Sequence, residues 1–314
     1  MNSQPPRRAQ RRWPLAAMAL VILFVSGFAA VRADVLGMGE RFDRWRSRVE
    51  AFIDPPPDRS TIPTVVVTPE PSPTATPVPT LAPSASPTPS PTPLVREPVD
   101  MTLVDHHAAV FKSQNTSEDC APAGTQMVLA ILGLAGTSET FQEELKGRIG
   151  EWESFDDSHD GGWGPAAVSL ALAAYGAPGY EIRAYDSHID ALRGAATALS
   201  ATNKPVVFFP WWGAHTWVMT GYRADADPLL FPDANVSGLY ILDPWYPRVS
   251  SIWGASDGPG NFEDLAEMER NWPAGAGPPG YEAVGPGWTR PEGFYPDRDG
   301  KYVILVPTIP LENG

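Results

Sequence analysis

The chain has 314 residues, with 37 Asp and Glu against 23 Lys and Arg, and a single cysteine. The charge is uneven: from Pro98 onward 12 basic residues face 29 acidic ones, a balance of −17, whereas residues 1–97 carry 11 and 8. So acidic a segment has no basic excess with which to displace counterions from phosphates, which argues against nucleic acid as a partner. One cysteine likewise excludes an intramolecular disulfide framework.

Arg7, Arg8, Arg11 and Arg12 precede a nineteen-residue run without charge, Trp13 to Val31. That length approaches the ~20 residues that span hydrocarbon and exceeds the 7–15 apolar residues of a usual cleavable signal. The four arginines put the N-terminus in the cytoplasm and the rest of the chain outside. Residues 1–34 are therefore expected to be a cytoplasmic tail and signal-anchor, with a cleaved signal and secretion as the alternative. Over 35–61, Phe42, Trp45, Val49 and Phe52 recur at helical spacing among arginines. This predicts an amphipathic helix that lies on the membrane surface, pairs with a second copy, or simply leads out of the bilayer.

From Ile62 to Arg96 the chain changes character: 22 of these 35 residues are Pro, Ser or Thr. Such a segment has little apolar surface to bury, and its prolines favour an extended polyproline II conformation of about 3.1 Å per residue. Residues 62–97 are expected to be a disordered stalk between anchor and domain.

Residues 98–314 read as one α+β domain. Helices are predicted from about Cys120 to Gly133 or Gly136, with Asp119 or Ser117 as cap, and over Thr137–Ile149, Pro165–Tyr175 and Ser187–Leu199. Strand-like runs follow at Pro205–Trp212, Thr216–Tyr222, Gly238–Asp243 and Tyr302–Pro307. Helices followed by a block of strands predict helices packed on an antiparallel sheet.

Within that domain Cys120 is buried and inert, paired between chains, or reactive. Its place at the start of a helix, followed by Ala121 and Pro122, sets the thiol against the positive end of the helix dipole. Gln114, six residues upstream, is able to offer an amide N–H beside the backbone N–H of Cys120, a pair suited to a tetrahedral oxyanion. Of five histidines, His106, His107, His159 and His188 read as surface residues. His215, in Gly213-Ala214-His215-Thr216-Trp217, sits at the mouth of a strand. If the runs 216–222 and 238–243 are antiparallel neighbours paired Tyr222 to Gly238, Asp243 falls opposite Trp217, on the His215 side. An acid there orients the imidazole; alternatively, Asp243-Pro244 simply ends a strand in a turn.

Gln114, Asp119-Cys120-Ala121-Pro122-Ala123, His215-Thr216-Trp217-Val218 and Asp243-Pro244-Trp245 together resemble the peptidase C39-like family of the papain-like clan. The resemblance covers about Val104 to Pro247 and implies a papain-like fold. It also implies Cys120 as nucleophile, His215 as general base, Asp243 as its orienter and Gln114 as oxyanion donor. One departure stands out: the family's Cys-Gly-Pro is Cys120-Ala121-Pro122 here, which sets a methyl at the edge of the implied oxyanion hole.

The leading expectation is a membrane-anchored extracytoplasmic cysteine peptidase or amidase acting on peptide or a cell-wall amide. The alternative is an inactive papain-like module binding wall peptide or glycan on a platform drawn from Trp163, Trp211, Trp212, Trp217, Trp245 and Trp253, of which Trp217 also reads as core packing; Trp163, Trp212 and Trp245 are the expected substrate-binding aromatics. No cofactor is expected, and no metal: the spacing in Asp156–Asp160 does not match a calcium loop, so that segment reads as a solvated acidic turn. The oligomeric state is left open.

Overall fold

A computed structural model describes residues 13–32, 38–59, 61–68, 94–158, 162–250, 254–272 and 297–311. Two helices come first, α1 (Trp13–Arg32) and α2 (Met38–Ile53), and a single turn, α3 (His107–Val110), follows later in the chain. Met18, Leu20, Val21, Leu23, Phe24 and Phe28 of α1 are all more than half exposed. Among the described residues no helix is long and apolar enough to cross a membrane. In α2, Phe42 and Trp45 meet at 5.7 Å and stay largely exposed, as the amphipathic pattern implies.

The rest is α+β, around a mostly antiparallel sheet. Its strands are β1 (Thr64–Val67), β2 (Val99–Thr102), β3 (Tyr180–Tyr185), β4 (Val206–Phe208), β5 (Trp217–Ala224), β6 (Val236–Leu242), β9 (Asn261–Asp264) and β10 (Tyr302–Pro307); β7 (Val249–Ser250) and β8 (Gly254–Ala255) form a separate ribbon. The order is β1-β3-β10-β4-β5-β6-β9. The strand β2 shares the β4 edge of β5, pairing Val99–Thr102 with Ala224–Gly221 while β4 pairs with Met219–Trp217.

Every residue of Tyr302-Val303-Ile304-Leu305-Val306-Pro307 is buried, because helices cover both faces of the sheet. One face packs on α7 (His188–Thr202): Leu192, Ala195 and Leu199 meet Phe208, Met219, Ile304 and Val306. The other packs on α4 (Cys120–Ile131) and α6 (Pro165–Ala174), where Met127, Val128 and Leu172 meet Ile182, Val207, Val218, Val303 and Leu305. Along β5, Trp217 and Met219 point to the α7 face and Val218 to the other. A bulge between Met219 and Gly221 resets this alternation, so Tyr222 and Ala224 return to the α7 face. The expected register holds at one end, where Val218 pairs with Leu242. Beyond the bulge it slips by one, so Tyr222 meets Leu239 instead of Gly238.

The predicted helices appear as α4, α5 (Glu139–Gly147), α6 and α7. Their ends have local causes. Ser138 accepts from Phe141 N to start α5, and Ser187 from Asp190 N to start α7. Pro165 opens α6 at a position where its missing N–H costs nothing. Asn203, left-handed at φ 56°, stops α7.

Two expectations need correction. The expected stalk from residue 62 in fact begins as sheet, because β1 lies parallel to β3, Thr64 beside Ile182 through Val67 beside Tyr185. Just upstream Pro56 is buried, Phe155 N donates to Pro57 O at 3.0 Å, and Arg59 donates to Glu153 O and Gly150 O. The folded unit thus reaches back to about residue 56, three residues past the end of α2; residues 69–93 of the expected stalk lie outside the described residues. Second, the acidic turn is not solvated throughout: Asp156 is exposed, but Asp157 is not, and residues 159 and 160 lie outside the described residues. Asp157 is fully buried, takes Ala166 N and Ala167 N at 3.0 Å each at the start of α6, and pairs with buried Arg298 at 2.9 Å.

Candidate active site

Antiparallel β5 and β6 place the start of one beside the end of the other, and the site grows from that corner. His215 stands two residues before β5 and Asp243 immediately after β6. Asp243 Oδ1 accepts from His215 Nε2 at 2.6 Å and from Trp245 N at 2.8 Å. Both side chains are buried, at 2% and 6% exposure, so solvent does little to screen this pair.

Cys120 is the first residue of α4 and is partly exposed. The helix reaches the corner because Gly124, one turn later, lies against Thr216 beside His215. A Cβ on Gly124 would stand 2.7 Å from Thr216 Cγ2. The thiol interacts with the same imidazole whose Nε2 is held by Asp243. Burial pushes the His215 pKa down. The charge and hydrogen bond of Asp243, with those of Cys120, outweigh it and hold the imidazole at about 9.

Asp119 does not cap α4. It is buried, accepts from Thr116 N at 3.0 Å and pairs with Lys146 Nζ at 2.7 Å, fixing the loop before Cys120 to α5. Gln114 is buried in that loop. Its N–H donates to Pro244 O, next to Asp243, and Arg248 donates to its carbonyl at 3.0 Å. Its Nε2 donates to Thr116 O at 2.7 Å, which leaves a second amide hydrogen, and its Oε1 has no partner among the described residues. The Ala121 methyl packs in the apolar cluster with Met127 and Val128, turned into the core.

A ring that the sequence motifs leave out of the site dominates its wall. Trp211 stacks on the His215 imidazole at 4.1 Å and 14°, and Trp245 meets both rings edge-on. An indole face against an imidazole held in its charged form favours that form. The chain turns sharply to achieve this. Trp211 and Trp212 both have φ 56°, a left-handed conformation that costs non-glycine residues about 1–2 kcal/mol each. Asn271, at the end of α8 (Leu265–Asn271), holds Trp211 through Trp211 N to Asn271 O at 2.9 Å and Trp211 Nε1 to Asn271 Oδ1 at 3.1 Å. The paired tryptophans just before Gly213-Ala214-His215 offered a hint in the sequence; Asn271, 60 residues on, offered none.

No protein-family model matches the chain, and no curated protein or solved structure does either.

Trp212 and Trp245 lie beside this corner but are 6% and 5% exposed, so they present no open ring to a ligand. Trp163 packs edge-on against Trp152 at 5.3 Å, in a cluster with Leu145 and Ala171. Two of the histidines expected at the surface are not there. His107 Nε2 lies 3.0 Å from Thr220 Oγ1, and burial lowers its pKa. His188 is 8% exposed between Trp272 and Tyr302, its pKa also lowered by burial. His159 and Trp253 lie outside the described residues.

Proposed function

We propose that the protein is a membrane-anchored extracytoplasmic cysteine hydrolase of papain-like type that cleaves an amide bond in peptide or cell wall. One observation carries this reading: the buried His215 imidazole is held by Asp243 at Nε2 and also interacts with the partly exposed Cys120 thiol at the start of α4. Cys120 Sγ attacks the carbonyl carbon while His215 supports the sulfur as its anion. The tetrahedral oxygen is received by the Cys120 backbone N–H and the second Nε2 hydrogen of Gln114. As the C–N bond breaks, the imidazolium gives its proton to the leaving amine, which leaves a thioester on Cys120. His215 then takes a proton from water, the water oxygen adds to the thioester, and the acid and free thiol are released. Asp243 holds the imidazole in one tautomer throughout.

The charge-free run from Trp13 to Val31 supports the anchor, and the four preceding arginines support an inside N-terminus. The short passage from α2 to buried Pro56 puts the domain near that anchor instead of a stalk's length away. An inactive binding module gains nothing from a dyad held in register behind a partly exposed thiol, and its aromatic platform is not open at Trp212 and Trp245.

The test is labelling of the full chain by a peptidyl vinyl sulfone. Rapid labelling near neutral pH, lost in Cys120→Ser and slowed at least about 100-fold in His215→Ala, is the expected result. Labelling no faster than that of free cysteine, or unaffected by His215→Ala, removes the hydrolase reading.

A further inference from the structure

Behind the dyad, on the Asp243 side of the imidazole, a small pocket is bordered by Trp211, Trp217, Asp243, Asp257 and Glu263. It opens beside three carboxylates from three different pieces of chain. Asp257 precedes β9, Glu263 lies in β9 and Glu267 lies on the first turn of α8. One oxygen from each is within 4.8 Å of the other two. Clustered acids alone mean little, since exposed ones are common. Glu263 differs. It is 3% exposed, and its Oε2 is buried with no hydrogen-bond partner among the described residues. A buried carboxylate oxygen without a donor is costly unless a proton or a cation meets it.

The nearest positive group serves poorly. Arg270 Nη2 reaches Glu267 Oε1 only at 3.5 Å and is 64% exposed, so its charge is screened and free to swing away. Glu267 also accepts from Asp264 N in the capping box of α8, which fixes one edge of the cluster by backbone. Burial, then the hydrogen bond to Asp257 and the charges of Glu267 and Asp257, push the Glu263 pKa up to about 8.

We propose that Asp257, Glu263 and Glu267 form a binding site for a divalent cation of the calcium type. The donors are all oxygen, which selects a hard cation over a transition metal. Carboxylates gathered from a loop, a strand and a helix turn suit calcium, whose coordination is flexible, better than magnesium, which demands near-ideal octahedral geometry. Binding meets the unpartnered oxygen of Glu263 and offsets much of the negative charge of the cluster. The ion joins the segment before β9 to α8, whose last residue, Asn271, holds Trp211 against His215. Three carboxylates and water on a surface loop belong with the weaker calcium sites, about 10⁻⁴–10⁻³ M.

The full chain, stripped with EDTA and held in detergent, is titrated with calcium while thermal unfolding is followed. A parallel titration uses terbium, excited through tryptophan, because Trp211 and Trp217 line the adjoining pocket. The Tm is expected to rise with calcium through the millimolar range, and calcium is expected to quench the terbium emission by displacement. Glu263→Gln, which keeps shape and removes a buried acid, should fold without calcium and lose both responses. Asp257→Asn, at an exposed position with little risk to folding, should weaken both about tenfold. A wild-type Tm that stays flat to 10 mM calcium, or responses undiminished in Asp257→Asn and Glu263→Gln, overturns the site. None of these readouts depends on hydrolysis.

Discussion

Two buried pairs of acid and base lie in this domain, and they differ in one respect. Asp157 and Arg298 are 0% and 4% exposed, and their polar atoms are met from every side. Two amides at the start of α6 satisfy the carboxylate, while Arg298 also donates to Asp157 O and Thr64 Oγ1. That network is closed, and it ties β1, α6 and the approach to β10 together. Asp243 and His215 are as deeply buried, and the carboxylate is again met by an amide, from Trp245. There, however, the base also interacts with a partly exposed thiol. A closed polar network rigidifies; an open one retains a group that can exchange a proton. Residue type alone would not separate the two, since both pairs are an Asp and a cation shut away from water.

The widest separation should come from Asp243→Ala. Without the carboxylate the imidazole loses its tautomer and its charge partner, so kcat/KM should fall about 10²–10⁴-fold. Asp243→Asn retains an acceptor for Nε2–H and should recover part of that loss. The Tm should move less than for a lesion in the closed pair. If Asp243→Ala turned over substrate like wild type, the open pair would be as structural as the other.

The converse is Arg298→Met, which leaves Asp157 buried with a charge and no counter-ion. Breaking one side of such a pair costs about 3–5 kcal/mol. Chemical denaturation should show that loss, with vinyl sulfone labelling of the surviving folded fraction unchanged. Because Arg298 also grips Thr64, deleting residues 1–68 should destabilise the domain in the same direction, whereas a start near residue 54 should not. A truncated chain beginning at Pro98 that matched the longer one in stability would show β1 to be an accessory.

What was readable in the sequence follows the same division. The helices α4 to α7 and strands β4, β5, β6 and β10 come from long periodic or apolar runs, where local pattern and burial agree. His215 and Asp243 were readable because each sits at a strand end, and an antiparallel pairing brings such ends together. The strands β1, β2 and β3 were not. Val65-Val66-Val67 is apolar enough for a strand, but it is embedded in a Pro/Thr-rich stretch and exists as sheet only through β3 and Arg298, more than 100 residues away. Asp157 looked like a solvated acid because its partner, Arg298, is 141 positions away. Trp211 read only as one tryptophan of a ligand platform, because its stacking on His215 depends on a left-handed turn and on Asn271, neither of which is a pattern in neighbouring residues. Tertiary partners, not propensity, decided each of these.

A smaller effect tests how the thiol is delivered to the open pair. Gly124 lets α4 lie against Thr216, a buried β-branched side chain with little room to give way. Gly124→Ala improves helix propensity by about 1 kcal/mol yet inserts a methyl 2.7 Å from Thr216 Cγ2. Overpacking of this kind costs about 1–3 kcal/mol. The expected outcome is a modest net loss of stability and a clear fall in kcat, as Cys120 moves off the imidazole, while Gly124→Ala combined with Thr216→Ser should recover both. A Gly124→Ala protein with unaltered labelling rate and Tm would mean that α4 and β5 do not meet this closely.

The smallest effect is linkage to pH, and it again tells the two pairs apart. The folded pKa of His215, about 9, lies above the ordinary imidazole value of 6.5. A base whose pKa is raised on folding contributes its stability fully below the unfolded value, and that contribution fades as pH climbs through the folded one. The Tm of wild type should therefore hold to about pH 6.5 and decline from there to about pH 9. Arg298 stays charged throughout this range, so the closed pair adds no slope of its own. In His215→Gln the decline assigned to this residue should vanish, leaving a flatter curve with a lower plateau at pH 6. Vinyl sulfone labelling of wild type should lose its neutral-pH advantage over free thiol across the same alkaline window, because the imidazolium that supports the sulfur is then gone. Equal slopes between pH 6.5 and 9 in wild type and His215→Gln would mean that the imidazole is not held charged, and the open pair would lose the property that distinguishes it.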